Sequence, residues 1–164
     1  MKRARFLALA SFVLFALAAR PAGNDIYPAP ERARADIAAA LRTAAAEHKR
    51  VILDFGGNWC GDCQVLDIYF HNRQNLPILN ANFVLVHVNV GHFDANVDLA
   101  EKYAIPLRKG VPALAVLSAG GRLLYSQKSG EFEAMGSMQP SSVTDFLLRW
   151  RPQRPGCPVT AMSC

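Results

Sequence analysis

The sequence predicts an α/β fold with a central mixed β-sheet and helices on both faces. Three observations carry this. Two β-rich apolar runs, Val51–Phe55 and Phe83–Val90, are separated by a segment of helical character, and a strand–helix–strand crossover implies parallel strands. A later pair of runs, Val111–Leu117 and Leu123–Ser126, is joined by Ala119-Gly120-Gly121-Arg122, a tight turn that implies an antiparallel hairpin. Apolar residues at helical spacing fill the stretches around these runs. The 164 residues, 51% of them apolar, suffice for one core in one domain.

The chain opens on Met1-Lys2-Arg3-Ala4-Arg5, a basic start. Phe6 to Ala19 is apolar apart from Ser11, and Arg20 ends it. A charged region followed by an apolar stretch too short to span a bilayer comfortably predicts a signal peptide over residues 1–18. Ala16-Leu17-Ala18 supplies the small-x-small cleavage pattern. A cut after Ala22 is the second choice, and an uncleaved anchor is the alternative. No cysteine follows the apolar stretch, which argues against a lipid anchor. The expectation is an exported protein, periplasmic or otherwise extracytoplasmic, with no stable membrane insertion after cleavage.

Removal of Lys2, Arg3 and Arg5 leaves a chain only slightly basic. No Arg/Lys run is interleaved with aromatics, so no nucleic-acid partner is expected.

Residues 19–34 read as a linker punctuated by Pro21, Pro28 and Pro30. A helix follows, with Ile37, Ala40, Leu41 and Ala44 on one stripe. Asp36 near its start and His48-Lys49-Arg50 at its end suit the helix dipole. Val51–Phe55 is a short apolar strand, and Gly56-Gly57-Asn58 turns out of it. The next helix runs from about Cys60 to His71, with Val65, Leu66, Ile68, Tyr69 and Phe70 on its apolar side. Asn72 to Asn75 is a polar break, and Pro77 opens one more helical turn through Leu79.

Phe83–Val90 is the strongest strand signal. Asn96 is expected to cap a helix over Val97–Tyr103, closed by Ile105-Pro106. Val111–Leu117 is a strand with Pro112 near its start, where proline costs no ladder bond. Residues 130–139 read as a loop. Ser142 to Asp145 fits a capping box for a last helix whose apolar face is Val143, Phe146, Leu147 and Trp150. Residues 35–150 form the expected domain, and 151–164 an irregular tail carrying Cys157 and Cys164.

The chemistry sits in Asp54-Phe55-Gly56-Gly57-Asn58-Trp59-Cys60-Gly61-Asp62-Cys63. Two thiols separated by two residues, after a strand and at the start of a helix, can exchange a disulfide with a partner. The attacking group is a thiolate. The unpaired N–H groups and positive end of the helix favour that anion at Cys60. Cys63 lies one turn further along and can attack a mixed disulfide formed at Cys60. Trp59 would flank the site as an apolar surface for a substrate polypeptide.

With strand, motif, crossover and hairpin in place, the chain resembles the thioredoxin family over roughly residues 35–150. The Asp-Phe-x-x-x-Trp-Cys-Gly-x-Cys pattern stands as Asp54, Phe55, Trp59, Cys60, Gly61 and Cys63. The family's cis-proline stands as Pro112 in Gly110-Val111-Pro112-Ala113. The resemblance implies a thioredoxin-like fold and a thiol–disulfide oxidoreductase acting on protein thiols and disulfides with an unidentified redox partner. It implies Cys60 as nucleophile, Cys63 as resolving thiol, and Pro112 with Val111 as a dock for substrate backbone. Asp54 matches the family's buried acid, placed to take the Cys63 proton; an ordinary strand-end acid is the alternative.

Two departures bear on redox tuning. Asp62 replaces the usual proline beside Gly61, and its charge opposes a second anion at Cys60. A less stable thiolate makes a stronger reductant, so the reading leans to a reductase or isomerase. His87 falls where the family often has a lysine beside the buried acid. Either it makes the proton relay sensitive to pH near neutrality, or it is a strand histidine facing elsewhere.

Cys157 and Cys164 have two readings, a structural disulfide in the tail or a relay of electrons to Cys60–Cys63. His71 and His92 flank the motif loosely. With no second Cys-x-x-Cys and no His-x3-His, no metal and no cofactor are expected. The competing function is a non-catalytic thioredoxin-like module that binds a partner or handles a metal. A peroxide-reducing enzyme is disfavoured because no peroxidatic Thr-x-x-Cys arrangement is present.

Overall fold

In a computed structural model, residues 25–153 of the chain are described. The expected signal peptide and the Cys157 and Cys164 tail lie outside them. The elements are α1 (Ala33–Glu47), β1 (Arg50–Gly56), α2 (Gly61–Phe70), α3 (Asn75–Asn82), β2 (Phe83–Asn89), α4 (Val97–Lys102), β3 (Ala113–Leu117), β4 (Leu123–Ser126) and α5 (Pro140–Trp150).

The four strands form one sheet in the order β2-β1-β3-β4. β1 is central and pairs parallel with β2, placing Asp54 opposite His87. On its other side it pairs antiparallel with β3, and β3 pairs antiparallel with β4. This is the mixed sheet predicted from the crossover and the hairpin, in a thioredoxin-like fold.

Strand alternation divides the core into two layers. On one face Val51, Leu53 and Phe55 pack with Ile37, Ala40 and Ala44 of α1 and Leu99 of α4. On the other, Ile52 and Leu114 pack with Leu66 and Phe70 of α2, Leu79 of α3 and Leu147 of α5. β1 is buried on both faces, which is why it reads as an apolar run rather than an alternating one.

Several local expectations are corrected. Ordered turns begin before residue 35: Pro30–Arg32 is a 3-10 turn leading directly into α1. Proline suits that first turn because its missing N–H would be unpaired there anyway. Asn96 does not cap α4. Its backbone is left-handed, and its side-chain amide donates to the Pro30 and Asn89 carbonyls. The Ser142 capping box does not form, because Pro140 starts α5 earlier, with Gln139 at the cap position.

The polar break is also shorter than expected. Asn72 Oδ1 accepts from the Gln74 and Asn75 backbone N–H groups and starts a full helix through Asn82. Residues 130–139 contribute Phe132 and Met135 to the second core layer. No helix among the described residues is long and apolar enough to cross a membrane.

Asn75 is fully buried and joins three elements. Its amide donates to the Tyr69 carbonyl, and its Oδ1 accepts from the Thr144 hydroxyl at 2.6 Å. Thr144→Val keeps the shape and leaves that buried oxygen unpaired. The expected outcome is a loss of about 1–3 kcal/mol. It is measured as a lower urea midpoint with unchanged slope.

Candidate active site

β1 delivers the chain to the site and α2 carries it away. Cys60 is the N-cap of α2 and is joined to Cys63 in a disulfide. Its sulfur accepts the Cys63 backbone N–H at 3.1 Å. That hydrogen bond shows the helix N-terminus directed at Cys60 Sγ, where an anionic sulfur would be stabilised. Cys60 is nearly buried and Cys63 completely so. Attack on this disulfide from outside is therefore confined to the Cys60 side.

The opposing wall is the Val111–Pro112 segment, whose peptide bond is cis. The Val111 carbonyl oxygen lies 3.5 Å from Cys60 Sγ. Gln127, a buried residue beyond β4, holds the segment in place: its amide donates to the Pro112 carbonyl, and its Oε1 accepts the Leu114 N–H. Trp59 is 46% exposed beside the disulfide. Its indole N–H donates to the Gly91 carbonyl, and its ring stacks on His92 and meets Phe93 edge-on.

The two residues between the cysteines differ in setting. Gly61 is exposed, and a Cβ there would meet nothing within 4 Å. Asp62 Oδ1 accepts the Gly136 backbone N–H at 2.7 Å. Its charge is thus engaged by the loop before α5 as well as by the first turn of α2.

Behind the disulfide, Asp54 has no exposed surface. One oxygen, Oδ2, accepts the Tyr27 hydroxyl at 2.6 Å and faces His87 Nδ1 at 3.0 Å. The carboxylate assigns the proton on that ring nitrogen to a donor role. The other oxygen, Oδ1, is buried without a hydrogen-bond partner. Burial and then the Asp54 charge push the Tyr27 phenol far above its usual range, so it remains a donor.

Burial acts to lower the His87 value, yet the Asp54 hydrogen bond and the Asp54 and Asp67 charges outweigh it, and the net shift is upward. The structure thus brings Cys60, Cys63, Asp54, Trp59, Val111, Pro112, Asp62 and His87 into one constellation. Cys157 and Cys164 lie outside the described residues.

Besides Gln127, Tyr27 and Asn58 are residues that sequence reasoning missed. The Tyr27 N–H donates to Asn58 Oδ1, and Asn58 Nδ2 donates back to the Tyr27 carbonyl. This pair straps the segment before α1 to the loop before Cys60. A methyl group on Gly56 would sit 2.4 Å from Tyr27 Oη and 2.8 Å from Cys63 Sγ. The phenol and the inner sulfur are therefore near neighbours, and glycine alone leaves room for both. The only signal in the sequence is an aromatic residue amid prolines.

A family model described as thioredoxin-like matches residues 32–119. Among solved structures, the chain is similar to a disulphide isomerase from Xylella fastidiosa Temecula1, at 33% identity and a TM-score of 0.73, covering 78% of this chain and 98% of that one. It is also similar to a thioredoxin from Thermus thermophilus, at 22% identity and a TM-score of 0.49, covering 75% and 83%. A search of curated proteins found no match.

A folded-state value raised above the unfolded one adds stability that is complete below the unfolded pKa, about 6.5 for histidine. It is lost as pH rises through the folded value. Unfolding free energy of the oxidised protein should therefore fall as pH rises from about 6.5 through the His87 transition. In His87→Gln, urea titrations across the same window should show that slope flattened.

Proposed function

Because the chain belongs to the thioredoxin-like family of thiol–disulfide oxidoreductases, we propose that it is an exported member exchanging disulfides with protein substrates through Cys60 and Cys63, in the reducing or isomerising direction. The observation that carries this is the Cys60–Cys63 disulfide at the N-terminus of α2, with the Val111 carbonyl 3.5 Å from the outer sulfur. Export rests on the basic and apolar N-terminal sequence.

The reduced enzyme starts the cycle. Cys60 thiolate attacks a substrate disulfide, forming a Cys60–substrate bond and breaking the substrate S–S bond. The departing substrate thiolate takes a proton from water. Cys63 then gives its proton to Asp54, attacks Cys60 Sγ and expels the second substrate thiolate. Two electrons have passed to the substrate, and the oxidised enzyme is the state seen here. In the isomerising variant, a second substrate thiol attacks the mixed disulfide before Cys63 does, and Cys60 leaves reduced.

Each neighbour has a place in this scheme. Trp59 and the exposed ring of Phe93 supply an apolar platform beside the entry point. Val111 offers its carbonyl to the backbone of a docked peptide. The buried Asp54 Oδ1, free of other partners, is the acceptor for the Cys63 proton. Asp62 opposes the Cys60 thiolate and so favours electron donation, while its bond to Gly136 moderates that effect.

The direct test is insulin reduction with dithiothreitol as electron source. The wild type should accelerate it, and Cys60→Ser should fall to the uncatalysed rate. An inactive wild type would indicate a binding module instead. The reduction potential should lie nearer thioredoxin's, about −270 mV, than the DsbA value of about −120 mV. Double replacement of Cys157 and Cys164 by serine should leave insulin turnover unchanged.

A further inference from the structure

The exchange scheme deposits a proton on Asp54, a group with no exposed surface, and the next cycle needs it gone. The oxidised site pairs Asp54 with His87, 3.0 Å apart. With the imidazole protonated, that pair is neutral overall. A proton added to Asp54 alone leaves a largely shielded imidazolium without its Asp54 counter-charge, facing only the more distant Asp67 carboxylate, which costs free energy in a partly desolvated site. Neutrality returns only if His87 gives up a proton from its other nitrogen. Nε2 faces Asp67 Oδ1 at 3.5 Å, an ion-pair contact slightly longer than a normal hydrogen bond, so direct transfer needs a small closing motion of the two side chains.

Asp67 in turn meets His71. The same carboxylate oxygen lies 3.1 Å from His71 Nδ1, which also sits 2.9 Å from the Asp67 carbonyl. Two acceptors facing Nδ1 assign it the ring proton. Cys63, Asp67 and His71 recur every four residues along α2 and its C-cap, so they form one stripe. Side-chain exposure rises along the series: Asp54 0%, His87 16%, Asp67 21% and His71 48%. The path therefore starts at a fully buried acid and ends at a half-exposed imidazole.

We infer that Asp67 and His71 form the proton exit of the site, carrying the proton released by Cys63 from the Asp54–His87 pair to water. This rests on Cys63 being the resolving thiol. As Cys63 loses its proton to Asp54 and its sulfur forms the bond to Cys60, His87 releases its Nε2 proton to Asp67. Asp67 then passes it to water beside His71. One proton enters the buried pair and one leaves, so its net charge is zero before and after. Asp67 also raises the acidity threshold of His87 by its charge, which makes it a positioning residue for the proton as well as its acceptor.

The other groups around His87 do not offer the same route. Tyr27 from the N-terminal segment meets its ring edge-on at 5.0 Å, but its phenol is a donor to Asp54. His87 also lines an open groove of about 570 Å³, together with Asp25, Arg32 and Asp36. Asp36 is held by Arg32. Release straight into that groove is the competing exit.

The test is insulin turnover and its pH profile in the full chain, for wild type, Asp67→Asn, Asp67→Glu and His71→Gln. Expected for Asp67→Asn is a kcat about tenfold lower, below the 10²–10⁴ of a group in direct contact with the reacting atom. Its His87 limb should move to lower pH, because a charge that favours the imidazolium is gone. Added imidazole buffer should restore much of the rate in Asp67→Asn and His71→Gln while leaving the wild type unaffected. Asp67→Glu, which keeps the carboxylate, should stay close to wild type.

A profile for Asp67→Asn that superposes on the wild type would overturn the exit and leave the groove as the route. So would equal losses in Asp67→Glu and Asp67→Asn without rescue, the mark of a packing role. A wild type that does not reduce insulin at all would instead overturn the exchange reading on which the exit rests.

Discussion

Asp54 is a carboxylate held without solvent in the central strand of the sheet, directly behind a disulfide. Few arrangements are as costly as a buried charge with no partner, and much of this molecule is organised to avoid that state. β2 is paired parallel with β1 in the one register that sets His87 opposite Asp54. A shift by one residue would turn the imidazole to the other face of the sheet. The segment before α1 is folded back over the end of the sheet, so that the Tyr27 hydroxyl reaches the same oxygen. Both donors take Oδ2 and leave Oδ1 unused. The carboxylate is thus fixed in orientation while one oxygen stays open for chemistry.

The same constraint explains the detail around Gly56. That residue ends β1, and the space its missing side chain leaves is shared by the Tyr27 phenol and the Cys63 sulfur. The strap from Tyr27 to Asn58 then ties the acid, the phenol and the loop into Cys60 to one short piece of backbone. Site geometry and fold stability are coupled here. Loosening the N-terminal segment would both expose Asp54 and free the loop that positions the N-cap sulfur.

The mixed character of the sheet and the site's main line were legible in the sequence because they rest on local pattern. Val51–Phe55 and Phe83–Val90 announce parallel strands, and the register that sets Val51 against Val84 puts Asp54 beside His87. The Cys-x-x-Cys spacing and Pro112 are equally local. What escaped was set by tertiary contact. Tyr27 lies among prolines with no periodicity to mark it for burial. Phe132 and Met135 enter the core from an irregular segment, where no repeat distinguishes inside from outside. Asn96 fits the composition of a cap, but two carbonyls from other segments compete for its amide and win. Asp62 reads as a bare charge until the fold brings the Gly136 N–H to it.

The balance of charge at the site ties these pieces to the direction of exchange. Reduction adds a thiolate at Cys60 and a thiol at Cys63. The thiolate gains the N-terminal amides of α2 and meets the Asp62 carboxylate two residues on, in the first turn of that helix. Because Asp62 is engaged by Gly136 in the oxidised state, its charge is already solvated by the protein and acts on the sulfur at reduced strength. The Asp54–His87 pair acts in the opposite sense to Asp62 at low pH. With the imidazole charged, the pair is neutral and imposes no repulsion on the new anion. Once His87 has lost its proton, an uncompensated Asp54 carboxylate would stand behind the sulfurs and disfavour the reduced form. Under the proposed exchange scheme, electron donation would therefore become easier as pH rises through the His87 transition, and the histidine on β2 would link the driving force of the exchange to the proton it must release.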